Sequence, residues 1–209
     1  RNLTREGIHQ GIIHSGDLMY ELLHDCRPVI RRNRRFLEKY DLSHRDFYYL
    51  TLHRAGTVDD RNNLRQVLAM LNRLDRPVLF PVHPRTAQRL KSFRLHTRLE
   101  KMSHVLVVKP LTYIDNLTAA AHARAVLTDS GGLQKEALFL GTPVLTLRDE
   151  TEWTETLKMG NRLVGLSPER LQNALRRPVK VHPPVMTVHG KRPSYHIVNT
   201  IRRFFKTRR

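Results

Sequence analysis

Apolar and polar positions along this chain fall into blocks that switch between two periods. Short apolar runs at 47–52, 78–82, 105–108, 125–128 and 144–147 have the length and continuity of strands buried on both faces, and 162–164, which opens with an arginine, is a sixth candidate. The stretch 11–14 reads the same way. Between the runs, apolar residues recur at helical spacing. Leu64, Val67, Leu68 and Leu71 lie three and four apart, the stripe of a helix packed on a sheet. This spacing predicts helices over 17–24, 29–40, 59–74, 86–93, 113–122, 133–140 and 152–159, with an amphipathic helix over 195–205 at the end. Strand and helix signals that alternate so regularly predict an α/β fold, a mostly parallel sheet with helices on both faces. Residues 178–193 hold four prolines and little periodicity, and read as a connection. The expected organisation is therefore a leading segment with a first helix (1–45), one parallel-sheet domain (46–177), and a connection with a final helix (178–209).

Polar residues recur just past the strand ends: His53-Arg54, His83-Pro84, 109–112, 130–136 and 148–152. In a parallel sheet all of these gather on one rim. The most informative is Thr-Asp-Ser-Gly-Gly after the 125–128 run, because a helix-forming run comes directly after it. That order puts Ser130, Gly131 and Gly132 at a helix start, where unpaired N–H groups and the helix dipole attract an anion. Two glycines let a phosphate approach the backbone with no Cβ in the way. Glu136 lies about one turn further on. A carboxylate there would repel a diphosphate, so its partner is a neutral diol such as a ribose. Diphosphate plus ribose means a nucleotide. The same four residues also make a plain strand-to-helix turn with Ser130 as N-cap. The next stretch of chain favours the ligand: Gly141-Thr142-Pro143 stops the helix, 144–147 forms another strand, and Arg148-Asp149-Glu150-Thr151-Glu152 cluster past its end. Open α/β sheets hold ligands at such carboxyl ends.

Composition narrows the partners. A chain of 209 residues with 40% hydrophobic content can core one domain. The single cysteine, Cys26, excludes an internal disulfide. No apolar stretch reaches membrane-spanning length and the first residues do not form a signal peptide, so no membrane association and a cytoplasmic location are expected. The chain starts at Arg1 rather than Met, which reads as a partial or trimmed chain. Thirty-seven Lys and Arg against nineteen acids give a net charge of +18, which attracts any polyanion. The clusters Arg31-Arg32-Asn33-Arg34-Arg35 and Arg202-Arg203 to Arg208-Arg209 carry no nucleic-acid motif, and aromatics are too sparse for a stacking platform. Solvated helix faces or an acidic partner domain explain the charge better than nucleic acid. The twelve histidines lack metal-ligand spacing, so no metal is expected. There is no P-loop, no Gly-x-Gly-x-x-Gly fingerprint and no nucleophile elbow.

Five segments in order, 51–55 (TLHRA), 80–84 (FPVHP), 109–113 (KPLTY), 127–137 (LTDSGGLQKEA) and 140–153 (LGTPVLTLRDETEW), make the chain resemble the non-hydrolysing UDP-N-acetylglucosamine 2-epimerases. The openings 2–8 (NLTREGI) and 15–20 (SGDLMY) fit the same family, so the resemblance covers nearly the whole chain. It implies two Rossmann-like domains of glycosyltransferase-B type with a UDP-sugar in the cleft between them. This chain resembles the second, UDP-binding half with its crossing segments; the N-terminal domain is missing from it, and the full-length family is expected to form homodimers. The implied reaction eliminates UDP to give a 2-acetamidoglucal and adds it back after inversion at C2, with no cofactor. By resemblance, Ser130, Gly131 and Gly132 grip the diphosphate, Glu136 holds the ribose hydroxyls, and His53 is catalytic, assisting the leaving group. Arg148 supplies positive charge near the site or serves as an ion-pair partner, and His83 matches a regulatory substrate position of some bacterial members. The acids that move the C2 proton belong to the missing domain, so this half alone is expected to bind UDP weakly and turn over nothing. The chain departs from the common pattern at Ala55, Gly56, Thr57, Leu111, Asn116 and Trp153, and its 149–153 segment also resembles a branch acting on UDP-2,3-diacetamido-2,3-dideoxyglucuronate. A glycosyltransferase-B-type transferase domain and a basic polyanion-binding module are the remaining alternatives.

Overall fold

Six of the candidate strands form one sheet: β1 (Tyr48–Thr51), β2 (Val78–Pro81), β3 (Val105–Val108), β4 (Ala125–Thr128), β5 (Val144–Thr146) and β6 (Asn161–Leu163). They pair in the order β3-β2-β1-β4-β5-β6, parallel throughout. β2, β4 and β5 are buried at every position and β1 at all but Thr51, which is why their sequences are continuous apolar runs rather than alternating ones. The edge strands β3 and β6 are only partly buried. Strand order runs outward from β1 to β3, then returns to place β4 beside β1. That reversal opens a crevice at the carboxyl ends of β1 and β4, the usual ligand position in such sheets. The computed structural model describes residues 2–177, 180–182 and 192–206.

The chain divides into two units, residues 26–184 and residues 1–25 with 185–209. The larger unit carries the sheet. The described helices are α1 (Asn2–Arg5), α2 (Leu18–Arg32), α3 (Arg34–Lys39), α4 (Ala55–Val58), α5 (Arg61–Leu71), α6 (Pro84–Ser92), α7 (His96–Glu100), α8 (Tyr113–His122), α9 (Gly131–Phe139), α10 (Pro168–Arg176) and α11 (Pro193–Lys206), with a 3-10 turn over Thr154–Lys158. Local chemistry starts several of them. Asp60 caps α5 by accepting from the Asn63 N–H, and α5 buries the predicted stripe of Leu64, Val67, Leu68 and Leu71. Thr112 caps α8 and Ser167 caps α10, the latter with Pro168 in its first turn. α9 is buried almost all round, as a central helix on a sheet must be.

Several expectations need correction. Residues 11–14 form no strand: Gly11 and Gly16 adopt φ of +69° and +86°, and Ile12 and Ile13 are exposed. Among the described residues no strand lies alongside to complete a ladder. The helices expected over 17–24 and 29–40 instead run as α2 straight through Pro28, and the break falls at Asn33. Asn33 leaves helical backbone there, and its amide donates to Asp115 Oδ1 (3.0 Å) and Thr118 Oγ1 (3.2 Å) of α8. The helix expected over 152–159 tightens into a 3-10 turn. α1, α4, α7 and α10 fall outside the predicted helices; for α10 the Ser-Pro-Glu start at 167–169 is the available signal.

In the smaller unit, Glu21 ties down the first turn of α11. It accepts from Arg192 Nε (2.8 Å), the Ser194 N–H (2.8 Å) and the Ser194 hydroxyl (2.6 Å). α11 leaves Val198, Ile201 and Phe205 exposed. Most of the connection expected over 178–193 and the pair Arg208-Arg209 lie outside the described residues. Among the described residues no helix is long and apolar enough to cross a membrane.

Candidate functional site

The crevice between β1 and β4 is closed at its floor by a residue to which sequence reasoning gave no role. Asp129, directly after β4, is fully buried. Its carboxylate accepts from the backbone N–H groups of His53 (3.1 and 3.2 Å) and Arg54 (3.0 Å), directly past β1. The His53 ring lies above it with Nδ1 3.5 Å from Asp129 Oδ1. Thr51 and Thr128 hydroxyls meet at 2.7 Å one residue deeper, and Thr128 Oγ1 accepts from the Ser130 N–H at 2.9 Å. A buried carboxylate needs such partners. The sequence signal is an acid wedged between an apolar strand and an N-cap serine, with no cation beside it in the chain.

Ser130 is the N-cap of α9, its hydroxyl accepting from the Leu133 N–H at a long 3.5 Å. Gly131 is buried and Gly132 half-buried. A Cβ on Gly131 would lie 2.6 Å from Glu152 Oε1 and 3.0 Å from Trp153 Nε1. Its backbone is not left-handed, so glycine serves here for close approach rather than for conformational freedom.

Glu152 draws the two flanking arginines together. Its Oε1 receives Arg54 Nη2 at 2.6 Å and its Oε2 receives Arg148 Nη1 at 2.7 Å. Arg148 thus stands at the site as an ion-pair partner, and Arg54, from the end of β1, joins it. Its own backbone N–H, together with Arg148 and Arg54, holds the Glu152 carboxyl at about 2 against a smaller opposing effect of burial. The segment bearing Glu152 is anchored from beneath by a buried polar network. Thr151 Oγ1 donates to Gln134 Oε1 (2.7 Å), Asn161 Nδ2 to Thr156 Oγ1 (2.9 Å), and Thr146 Oγ1 to Asn161 Oδ1 (2.7 Å). The Lys135 ammonium sits 4.2 Å from the Trp153 ring centroid.

Glu136 lies on α9, a turn inward and only 8% exposed. Burial raises its carboxyl above the usual 4.5, while the Tyr113 hydroxyl, donating to Oε1 at 3.0 Å, pulls it back down. Tyr113 therefore occupies one carboxylate oxygen, a contact that sequence reasoning missed. Burial and then Glu136 push the Tyr49 phenol well above its normal range, and its hydroxyl donates to Asn116 at 2.5 Å. Asn116 is thus engaged with the sheet. His83 caps α6 by accepting from the Arg85 N–H (3.2 Å), and its ring lies 5.8 Å from that of His53.

The predicted residues therefore lie along one rim with two stations: the α9 start with His53 and Arg148, which Arg54 and Glu152 join, and Glu136, which Tyr113 joins, a turn further along the helix. A cleft of about 890 Å³ on the same rim shares Arg54 and Arg148 but is not lined by Ser130, Gly131 or Glu136. Among the described residues no three His, Cys, Asp or Glu side chains converge as a metal would need.

A doubly wound parallel sheet with a Ser-Gly-Gly helix start at its switch point is a Rossmann-like domain, the class of fold that the resemblance implies. The chain belongs to the UDP-N-acetylglucosamine 2-epimerase family, whose sequence profile matches residues 1–207. It is 37% identical over 172 residues to a UDP-N-acetylglucosamine 2-epimerase homolog of Methanococcus maripaludis, covering 81% of this chain and 48% of that protein. It is 35% identical over 183 residues to the UDP-2,3-diacetamido-2,3-dideoxy-D-glucuronate 2-epimerase of Pseudomonas aeruginosa, covering 84% of this chain and 48% of that one. Its fold superposes on the crystal structure of Methanocaldococcus jannaschii UDP-GlcNAc 2-epimerase in complex with UDP-GlcNAc and UDP. That match has a TM-score of 0.82 and 31% identity, over 97% of this chain and 58% of the other. The family and fold expected from the motifs are borne out. The chain spans about half the length of the curated relatives it matches.

Proposed function

We propose that this chain is the UDP-binding half of a UDP-N-acetylglucosamine 2-epimerase, an isomerase that converts UDP-GlcNAc to UDP-ManNAc. The observation that carries this reading is the pairing of the Ser130-Gly131-Gly132 helix start with the buried Glu136 on one helix, in a chain of this family. In the proposed reaction a base of the other half removes the C2 proton as the C1–O bond to the diphosphate breaks. The bonding pair of that C1–O bond leaves with UDP, and the C2–H pair becomes the C1=C2 double bond of the 2-acetamidoglucal. UDP then adds back to C1 as a proton returns to the opposite face of C2. Charge develops on the diphosphate during departure, and preplaced donors there favour the transition state. Ser130 and the N–H groups of Gly131 and Gly132 supply such donors, Arg148 adds positive charge, and His53 donates a hydrogen bond or proton to the leaving oxygen. Glu136 accepts from ribose hydroxyls through the oxygen that Tyr113 leaves open. The remaining Rossmann-like half, a homodimeric assembly and a cytoplasmic setting belong to the same proposal.

The 35% identity to the diacetamido-glucuronate enzyme supports a second reading in which only the sugar differs. Turnover in deuterium oxide tests both. The chain alone is expected to leave either UDP-sugar unchanged, and the chain supplied with an N-terminal family half to invert C2 with deuterium incorporated there. Epimerisation by the chain alone, or sugar loss only when an acceptor is added, would contradict the proposal.

A further inference from the structure

Glu152 is an anion seated at the place where the substrate's anion is expected. Its Oε1 comes within 2.6 Å of where a Gly131 Cβ would be, at the first residue of α9, and both its oxygens are held by guanidinium groups, from Arg54 and Arg148. A carboxylate and a phosphate present the same chemistry to such donors: paired oxygens, negative charge, and acceptance from fork-shaped cations. We propose that Glu152 is a built-in stand-in for the substrate diphosphate, and that Arg54 is a further diphosphate ligand which Glu152 holds in readiness. The inference rests on the reading of the α9 start as the diphosphate site. On binding, the diphosphate displaces the Glu152 carboxylate and takes over both arginines.

Three features make the exchange feasible without refolding. The Glu152 side chain is 42% exposed, so it can swing into solvent. The backbone on either side is fixed through buried Thr151 and Thr156, so the loop stays while the side chain moves. Arg54 and Arg148 repel one another when no anion lies between them, and an internal carboxylate keeps both in place before substrate arrives. Preplacement of this kind lowers the ordering cost of binding. Besides its own backbone N–H, Glu152 is held by two ion pairs open to solvent on its own side, individually weak. A diphosphate with more charge outcompetes them, while the returning carboxylate shortens the stay of UDP.

Calorimetric titration at fixed low salt, with UDP and with inorganic diphosphate as separate probes, tests the exchange. Glu152→Gln keeps the size of the side chain and removes its charge. It should tighten both ligands about tenfold, the scale of a few weak charge contacts removed from competition. Adding Arg54→Gln in that background should reverse most of the gain. Diphosphate affinity that is unchanged or weaker in Glu152→Gln overturns the inference, and UDP-selective binding by the unmutated chain would then leave the nucleotide reading standing. A gain that survives Arg54→Gln overturns the role of Arg54. If neither protein binds UDP but diphosphate tightens, the inference holds and the nucleotide reading falls. Binding of neither probe by either protein overturns both.

Discussion

Glu136, the proposed ribose ligand, shows what burying a single carboxylate costs the fold. Buried beside Tyr49 and Tyr113, its carboxyl titrates above the usual 4.5. A raised folded value means that the native state holds the proton more tightly than the unfolded chain does. Its contribution to stability is therefore greatest below the unfolded value and falls as pH rises through the raised one, because the charge must then be held in a poorly solvated place. Glu136→Gln keeps the Tyr113 hydrogen bond and removes the charge. Its thermal midpoint should exceed that of the unmutated chain at neutral pH, with the gap closing below about pH 4, while ribose recognition is lost. A midpoint that falls at neutral pH would contradict this account. Sequence alone singled out Glu136, Ser130 and the glycines as candidates, since the proposed roles rest on spacing along one strand-turn-helix unit. It gave no place at the candidate site to Asp129, Tyr113, Arg54 or Glu152, because each is brought there by a contact with a partner at least 23 positions away.

At the scale of elements, the site depends on two strand ends held in register. β1 and β4 pair from Tyr48↔Ala125 to Thr51↔Thr128, and Asp129 extends that pairing by receiving the two N–H groups directly past β1. Asp129→Ala would leave those part-buried donors without their acceptor, at roughly 1–3 kcal/mol each. Chemical denaturation should show a loss of about 3 kcal/mol, with Asp129→Asn milder because one oxygen remains. A loss below about 0.5 kcal/mol, the level of an ordinary surface change, would show that Asp129 does not tie the strands. Five of the sheet strands were legible because each is an apolar run between turn residues, and β6, with Asn161 and Arg162, was legible only as a short run after the preceding helix signal. The 11–14 stretch misled for the same reason in reverse: it has apolar residues but no partner strand among the described residues, and the flanking glycines turn the backbone left-handed. The helices expected over 17–24 and 29–40 leave a gap around Pro28 that α2 runs through, whereas the actual break falls at Asn33, which reaches α8.

For the whole molecule, the strand order was not written in any one segment. Alternation predicted a parallel sheet, but only the assembled order 3-2-1-4-5-6 brings His53 and Asp129 to the same crevice. The net charge of +18 attracts anions in general, so affinity for a charged ligand says little until salt has screened the long-range part. Selectivity separates a nucleotide site from a basic surface. The central claim, that α9 of this domain holds UDP through its start and through Glu136, is tested most directly by titrating the chain with UDP at about 0.15 M salt, where screening acts beyond about 8 Å. Ser130→Ala and Glu136→Ala run alongside, with heparin as an unrelated polyanion. The account predicts saturable UDP binding, lost in both variants, while heparin binding is unaffected by either. UDP binding that is absent, or that persists undiminished in Glu136→Ala and tracks heparin in its salt dependence, would contradict it.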